Sequence, residues 1–277
     1  MVLISLTTDF GLRDHYVGVM KGVIAEIAPD AKLVDVTHEI PPQDLRAAAY
    51  VLWSSLPYFP ADSVHLVVVD PGVGSARRAI ASQTAWGVLV APDNGVCSYV
   101  WAAAPPILTV ELDNPHYRRA AVSHTFHGRD IFAPAAAYLA SGTPLAELGR
   151  PVQAPVRLPT PAISVGEVEI CGEVIYVDHF GNAVTSIGRL VWDGAMVHLD
   201  PAFGEAGRRI VAVGRVTVRA AGRDLGPIRR TYSETSPGEP LALVGSEGML
   251  EIAVNQGSGA QVLALQPGDP VEVIAGR

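Results

Sequence analysis

The sequence of 277 residues predicts an α/β protein with two domains. Up to residue 150, strand-like apolar runs alternate with helical patterns, which indicates a mostly parallel sheet covered by helices. Residues 151–163 are rich in proline and have no periodic apolar pattern, which is typical of a semi-rigid linker. In residues 164–277, short runs of Val and Ile between Gly, Pro and Asp turns indicate an antiparallel barrel or sandwich.

The elements of the first domain follow from the spacing of apolar residues. The predicted strands read, in chain order, VLISLTT, KLVDVT, HLVVV, GVLVA and ILTVEL. The predicted helices have apolar residues three and four positions apart, and they read HYVGVMKGVIAEIA, DLRAAAYVLWSSL and DIFAPAAAYLA. This order of elements favours parallel strands joined by helices.

The second domain has no helical pattern of comparable length. Its apolar runs read GEVIYVD, AVTSI, RIVAVGRVTV, LALVGS, LEIAV and PVEVIAG. Turn residues separate all of them, and the sequence contains no internal repeat, so we expect one sheet-rich domain rather than an array of units.

Composition restricts the class of function. With 49% hydrophobic and 17% charged residues, the chain is typical of a compact globular protein. A net charge of −8 without any cluster of Lys and Arg argues against a nucleic-acid surface. The N-terminus lacks the basic region of a signal peptide, and no apolar run is long enough to cross a bilayer. We therefore expect a cytoplasmic protein that binds neither nucleic acid nor membrane. Cys97 and Cys171 have no metal or redox spacing.

Three predicted strands of the first domain end in an aspartate followed by a turn. They are Asp9 in TTDFG, Asp70 in VVVDPG and Asp93 in APDNG. Ligands of open α/β sheets bind beyond the carboxyl ends of the strands, so three carboxylates at matching positions indicate a site. The alternative is that each is only a turn residue, and this interpretation fits Asp93 best.

The loop after Asp70 reads DPGVGSARR and contains the second candidate residue. It lacks the GK[ST] ending of a phosphate-binding loop, and no helical pattern follows it. Pro71 and the glycines favour a tight turn that would bring Arg77 back beside Asp70, where a guanidinium would keep a buried carboxylate ionised and oriented. A solvated surface ion pair is the alternative.

The segment SHTFHGRD supplies the third candidate. His127 precedes the last predicted helix of the domain, so its imidazole would lie at a helix entrance. His124, His127 and Asp130 are also possible metal ligands, with Asp9 and Asp70 completing an oxygen-rich set. Because nothing in their spacing is specific to a metal site, we predict none.

Six segments, read in order, resemble the S-adenosyl-L-methionine hydroxide adenosyltransferase family, whose relatives include 5′-halogenating enzymes. They read TTDFGLRDHYVGVMKG, VVVDPGVGSARRAIA, APDNGV, TFHGRDIFAPAAAYLASG, VDHFGNAVTSI and SEGMLEIAVNQGSGA, and they extend from residue 4 to about residue 260. The resemblance implies a Rossmann-like N-terminal α/β domain and a C-terminal β-barrel. It also implies a homotrimer in which the substrate lies between the N-terminal domain of one subunit and the C-terminal domain of the next.

The resemblance further implies a reaction. Asp70, Arg77 and His127 match the residues that the family is thought to use to activate water. The implied chemistry is attack of water or hydroxide on C5′ of the ribose, which converts S-adenosyl-L-methionine into adenosine and L-methionine without a cofactor.

The same matches imply the substrate contacts of the first domain and part of the second. Asp9 would accept hydrogen bonds from both ribose hydroxyls, because two carboxylate oxygens suit that geometry. Asp14 and Asp178 would face the methionine ammonium group. From the residues alone, Asp14 is equally a helix-start residue that the helix dipole favours.

The remaining matches lie in the second domain. Asn182 would contact the adenine edge, Phe180 would pack on the base, and Ser246 would bind the methionine carboxylate. Glu247 departs from the arginine of the halogenating relatives. The HFGN segment is also consistent with a simple hairpin turn.

Two alternative functions remain open. One is a 5′-halogenase on the same scaffold, although the halogenating relatives lack the Asp-Arg pair found here at Asp70 and Arg77. The other is a non-catalytic sensor of adenosine or S-adenosylmethionine.

Overall fold

The computed structural model describes residues 2–204 and 206–275. It divides into two compact units, Met1–Leu158 and Pro159–Arg277. The boundary falls within the segment predicted as a linker. The first part of that segment is attached to the first unit, because the amide of Val152 donates to Thr109 O (2.8 Å) and that of Leu158 donates to Ser98 Oγ (2.8 Å).

The first unit confirms the predicted α/β fold. Its elements are β1 (Leu3–Thr8), α1 (Tyr16–Ile27), β2 (Lys32–Thr37), α2 (Leu45–Ser55), β3 (Val64–Val68), β4 (Ala79–Thr84), β5 (Gly87–Pro92), α3 (Ser98–Ala103), β6 (Leu108–Glu111) and α4 (Ala133–Ala140). The strands form one sheet in the order β2-β1-β3-β5-β4-β6. The strands β2, β1, β3 and β5 are parallel, and β4 runs antiparallel to both of its neighbours.

The antiparallel strand β4 was not predicted from the sequence. Its second half, Ser82–Gln83–Thr84, is polar and breaks the apolar pattern. Those polar groups are satisfied inside the fold, since Ser82 Oγ lies 2.9 Å from Thr109 Oγ1 and accepts from Trp101 Nε1 (3.1 Å). These hydrogen bonds satisfy the polar side chains, so the segment can form a buried strand although it lacks a long apolar run.

The core of the first unit lies between the sheet and two helices. Met20 and Ile24 of α1 and the alanines of α4 pack with Ile4 and Leu66 of the central strands. Helix α2 begins where the side chain of Asp44 accepts from the amide of Ala47 (2.9 Å).

A π-helical turn, Gly128–Phe132, leads into α4. Pro134 has no amide hydrogen and cannot donate to the carbonyl of Asp130, four residues earlier. That carbonyl accepts from the amide of Arg119 instead (2.9 Å). The predicted helix of residues 130–140 is therefore a π turn followed by a short α-helix.

The second unit confirms the antiparallel, barrel-like domain. Its elements are β7 (Ile163–Val165), β8 (Glu169–Val177), β9 (Ala183–Thr185), β10 (Leu190–Asp193), β11 (Met196–Leu199), β12 (Arg209–Ala212), β13 (Val216–Ala220), β14 (Arg223–Gly226), β15 (Ile228–Arg229), β16 (Pro240–Val244), β17 (Leu250–Val254), α5 (Gly259–Leu263) and β18 (Pro270–Ala275). The main sheet has the order β14-β13-β18-β8-β9-β17-β16-β15, with β7 beside β8, and β10–β12 form a separate small sheet. One pair, β15 with β16, is parallel. Within the described residues, every helix is too short or too polar to cross a membrane.

Candidate functional site

The loop between β3 and β4 builds the centre of the site. Arg77 Nε donates to Asp70 Oδ1 (2.9 Å), and Arg77 Nη2 donates to Asp70 Oδ2. The side chains of Asp70 and Arg77 are only 5% and 10% exposed. Gly74 has φ of +78°, and a Cβ there would lie 2.5 Å from His124 O, so glycine lets the loop approach the segment before His127. The pair is therefore a buried, bidentate ion pair and not a solvated turn.

His127 completes the group from a distant part of the chain. Its Nδ1 lies 2.7 Å from Arg77 Nη2. Because arginine only donates hydrogen bonds, Nδ1 is the acceptor, and the proton of the neutral imidazole is on Nε2. Burial and then the Arg77 charge hold the pKa of His127 below its usual value of 6.5, and the Asp70 charge only partly opposes them.

A cavity of about 370 Å³ lies at the carboxyl edge of β1 and β3. Asp9, Asp70 and His127 contribute its polar wall. An aromatic cluster forms another wall, with ring centroids 5.6 Å apart for Phe10 and Tyr16 and 5.2 Å apart for Tyr16 and Phe126. The cavity thus combines carboxylates and an imidazole with an apolar surface.

Asp9 is held in place by a backbone amide of the segment before α2. Its Oδ2 accepts from the amide of Gln43 (2.8 Å). Behind it, Thr8 Oγ1 lies 2.9 Å from His38 Nδ1, and the His38 carbonyl accepts from the amide of Gly11 (2.7 Å). No sequence pattern identified His38, because its partners Thr8 and Gly11 lie at the end of a different strand, β1.

Asp93 lies at the same edge of the sheet but outside the cavity. Its Oδ2 accepts from Arg78 Nε (2.7 Å), and its Oδ1 accepts from the amide of Val156 (2.8 Å). Arg78 also donates to Ala154 O (2.8 Å). Asp93 therefore fastens the proline-rich segment to the first unit, a role beyond that of a turn residue.

Of the alternative metal ligands, Asp9, Asp70 and His127 line the cavity, whereas His124 and Asp130, like Asp14, do not. Asp14 is exposed, two residues before α1, and it does not line the cavity. Asp130 is buried, and its two oxygens accept from Arg129 Nε (2.7 Å) and Nη2 (2.8 Å). Within residues 2–204 and 206–275, no three His, Cys, Asp or Glu side chains are grouped so that they could hold a metal ion.

In the second unit, the predicted residues of HFGN form a tight turn. Asp178 Oδ1 accepts from the amides of Phe180 (2.9 Å) and Asn182 (2.8 Å), and its Oδ2 accepts from Asn182 Nδ2 (2.8 Å). Gly181 has φ of +83°, and a Cβ there would lie 2.0 Å from Ser258 Oγ. The carboxylate of Asp178 thus shapes the turn that presents Phe180, which is 74% exposed.

A pocket of about 490 Å³ adjoins this turn. It is lined by Phe180, Asn182, Tyr232, Val254, Gln256 and Gly257. An aromatic face and an amide in one largely apolar pocket match the needs of a planar heterocycle.

The segment between β16 and β17 carries Ser246 and Glu247. Ser246 is exposed, and its Oγ donates to Glu247 Oε1 (2.8 Å). Beneath them lies Glu251, a buried carboxyl group that the sequence analysis missed. Burial, together with the charges of Glu247 and Asp178, raises its pKa to about 7. The sequence contained one signal for this buried group, a glutamate within the apolar run LEIAV, because ionisable side chains are rarely buried unless they are paired.

The two units match known domains, and close relatives cover nearly the whole chain. The SAM hydroxide adenosyltransferase N-terminal domain matches residues 4–149, and the C-terminal domain of the same family matches residues 172–272. A protein of Salinispora arenicola named (R)-S-adenosyl-L-methionine hydrolase is 45% identical over 276 residues, covering 99% of this chain and 98% of its own. A fluorinase of Actinoplanes sp. is more distant, at 28% identity over 300 residues, covering 98% of this chain and 97% of its own.

The fold is also similar to that of a solved structure. A crystal structure of an uncharacterized conserved protein from Thermotoga maritima superposes with a TM-score of 0.84 at 36% identity, covering 99% of this chain and all of that one. Both domain matches, the identity to relatives over the full length and this superposition agree. The chain belongs to the SAM hydroxide adenosyltransferase family.

Proposed function

We propose that this protein hydrolyses S-adenosyl-L-methionine to adenosine and L-methionine. The observation that carries the proposal is the buried Arg77, which holds Asp70 and His127 together at a cavity also lined by Asp9. The relative from Salinispora arenicola, named as a hydrolase of (R)-S-adenosyl-L-methionine, supports this substrate.

The proposed reaction is a displacement at C5′ of the ribose. The oxygen of water forms a bond to C5′, the C5′–S bond breaks, and its electron pair stays on sulfur. The cationic sulfonium thereby becomes a neutral thioether, so the leaving group needs no proton. The proton lost by water passes to an acceptor in the site. Substrate and water are the only reactants that this chemistry requires, so no cofactor is invoked.

The hydrogen bonds support a division of roles among the three central residues. His127 accepts from Arg77 at Nδ1, so its Nε2 carries a proton and can only donate to the water oxygen. Asp70 retains acceptor capacity on its oxygens and takes the proton. Arg77 orients both groups. General-base assistance contributes about 10²- to 10⁴-fold, and alignment of water with the C5′–S bond contributes further.

The substrate contacts follow the family matches. Asp9, already fixed by the Gln43 amide, would accept hydrogen bonds from the two ribose hydroxyls. Asn182 and Phe180 would hold the adenine, a role supported by their shared pocket.

The amino-acid end would contact the remaining predicted residues. Asp14 and Asp178 would face the ammonium group, and Ser246 would bind the carboxylate. Glu247 would add negative charge beside Ser246, where the halogenating relatives have arginine.

The protonation state of His127 predicts a pH dependence of kcat. Protonation would place a second N–H against the Arg77 guanidinium, and burial opposes the charge as well. The pKa of His127 therefore lies below 6.5. We expect kcat at saturating substrate to be constant above this pH and to fall only at lower pH. Rate measurements on the wild type and on His127→Gln test this, since the variant should lose the part of the acidic limb that His127 contributes. A limb that is unchanged in His127→Gln, or that begins above 6.5, would contradict the assignment.

One incubation separates the proposal from the two alternatives. The protein is mixed with S-adenosyl-L-methionine, with and without fluoride or chloride, and the products are separated by chromatography. A hydrolase forms adenosine and L-methionine in every sample, and an added chelator leaves the rate unchanged. A halogenase forms a 5′-halogenated nucleoside only with halide, and a sensor binds the substrate without turnover.

We also propose a homotrimer that shares each site between neighbouring subunits. Its support is the family resemblance, and the exposed aromatic side chain of Phe180 is consistent with a site that a neighbouring subunit covers. Light scattering after size exclusion should give three times the 29.2 kDa chain mass. A monomer mass with full activity would contradict the shared site. The cytoplasmic location stays a prediction from the sequence.

A further inference from the structure

Glu251 occupies an unusual place for a carboxyl group. It is the second residue of β17 and is only 7% exposed. In the sheet it pairs with Val184 of β9 and Leu243 of β16. Neither flanking strand contains a titratable residue. These two strands therefore offer no charged partner to its carboxylate.

The carboxyl group lies under the segment that carries Ser246. A Cβ on Gly245 would lie 1.8 Å from Glu251 Oε1, so the carboxyl group occupies the space that a side chain at position 245 would need. The segment is closed by hydrogen bonds from the Gly245 amide to Met249 O (2.9 Å) and from the Gly248 amide to Gly245 O (3.0 Å). Glu251 thus supports the backbone of the Gly245–Gly248 turn.

The titratable groups that face Glu251 are Tyr232, Glu247 and Asp178. Tyr232 lowers the pKa of the Glu251 carboxyl group and so opposes the two carboxylates. The Tyr232 hydroxyl also lies 3.5 Å from Asn182 Nδ2, which donates to Asp178. Of the charges that act on Glu251, those of the carboxylates Glu247 and Asp178 raise its pKa.

We propose that Glu251 is a positioning residue for the amino-acid end of the substrate, acting through Tyr232 and the Gly245–Gly248 turn. It joins the segment that carries Asp178 and Asn182 to the segment that carries Ser246. This inference rests on the proposed function, because it assumes a substrate whose ammonium group faces Asp178.

The same geometry links substrate binding to a proton. Burial and the charges of Glu247 and Asp178 raise the pKa of Glu251 to about 7, so a fraction of the free protein carries a neutral Glu251 near neutral pH. A cationic substrate favours the ionised form, because a positive charge nearby stabilises a carboxylate. KM is therefore expected to fall as the pH rises through 7 and to level off above it. Below 7 the slope can reach about tenfold per pH unit when binding requires the ionised form.

Initial rates of adenosine formation, measured one pH unit below and one above neutrality, test the proposal. In Glu251→Gln we expect a KM that no longer changes with pH and that exceeds the wild-type value at the higher pH, with kcat nearly unchanged. Tyr232 lowers the pKa of Glu251, so Tyr232→Phe should move the change in KM to higher pH. Glu272→Gln on β18 is the matched control, and it should keep the wild-type KM and its pH dependence.

The outcomes are distinct. If Glu251→Gln and Tyr232→Phe both keep the wild-type dependence of KM on pH, the inference is wrong, while the proposed hydrolase function is unaffected. If Glu251→Gln melts below the assay temperature, Tyr232→Phe alone decides. If the wild type forms no adenosine, the proposed function fails, and the same comparison is made on the Kd for S-adenosyl-L-methionine by calorimetry. A Kd independent of pH then overturns the inference as well.

Discussion

Asp70→Asn is expected to lower kcat by about 10²- to 10⁴-fold, the range of general-base assistance, with substrate affinity close to that of the wild type. The amide is nearly the same size as the carboxyl group but accepts protons poorly. Its nitrogen would also face a donor of Arg77, so one of the two hydrogen bonds of the pair is lost. Because the role proposed for Asp70 is on the reacting water and not on the nucleoside, the loss should appear in kcat and not in Kd.

Asp9→Asn is the matched control for this result. Asp9 lines the same cavity, and in the proposed function it contacts the ribose throughout the reaction. Its replacement should weaken binding by about 1–3 kcal/mol, as expected for a hydrogen bond to a charged group, with a smaller effect on kcat. Both variants are measured by single-turnover rates, calorimetric binding and thermal melts. Normal turnover by Asp70→Asn, or a loss explained by unfolding, would make Asp70 a structural residue.

Arg77→Met is expected to combine a large loss of stability with a loss of activity. Asp70 is 5% exposed, and removal of the guanidinium leaves its carboxylate buried without a partner. Breaking a buried ion pair in this way costs about 3–5 kcal/mol in the free energy of unfolding. His127 loses the donor at Nδ1 at the same time, so its tautomer and orientation are no longer set. Chemical denaturation and steady-state rates measure the two effects.

Two further variants separate charge from geometry. Arg77→Lys keeps the positive charge but cannot donate to both Asp70 oxygens and His127, so it should recover most of the stability and little of kcat. Arg208→Met removes an arginine from the exposed pair with Asp200 and should leave the unfolding free energy nearly unchanged. If Arg77→Met is as stable as Arg208→Met, the ion pair at the site does not hold the loop.

Several features of the site were accessible from the sequence. The periodicity of apolar residues predicted which segments of the first unit are strands, and the parallel strands β1, β3 and β5 carry Asp9, Asp70 and Asp93 to one edge of the sheet. The short loop with two glycines predicted the return of Arg77 towards Asp70. These inferences succeeded because periodicity and turn preference depend on neighbours in the chain.

The structure alone decided which of these residues meet and which are used elsewhere. Arg77 and His127 are 50 positions apart, and their contact depends on the approach of the loop to the segment at His124 through Gly74. Asp93 has the same strand-end pattern as Asp70, but it holds the proline-rich segment because Arg78 and Val156 lie beside it.

The sequence by itself determined the two-unit α/β and β-rich organisation, the strand-end aspartates and the match to a family. The antiparallel insertion of β4, the burial of Glu251 beneath Gly245 and the partners of each carboxylate were decided by tertiary structure. The physical reason is that sequence patterns reflect only the spacing of apolar residues and turn residues along the chain. The protonation and the partners of a buried charge depend instead on groups that packing brings within a few ångströms from distant segments.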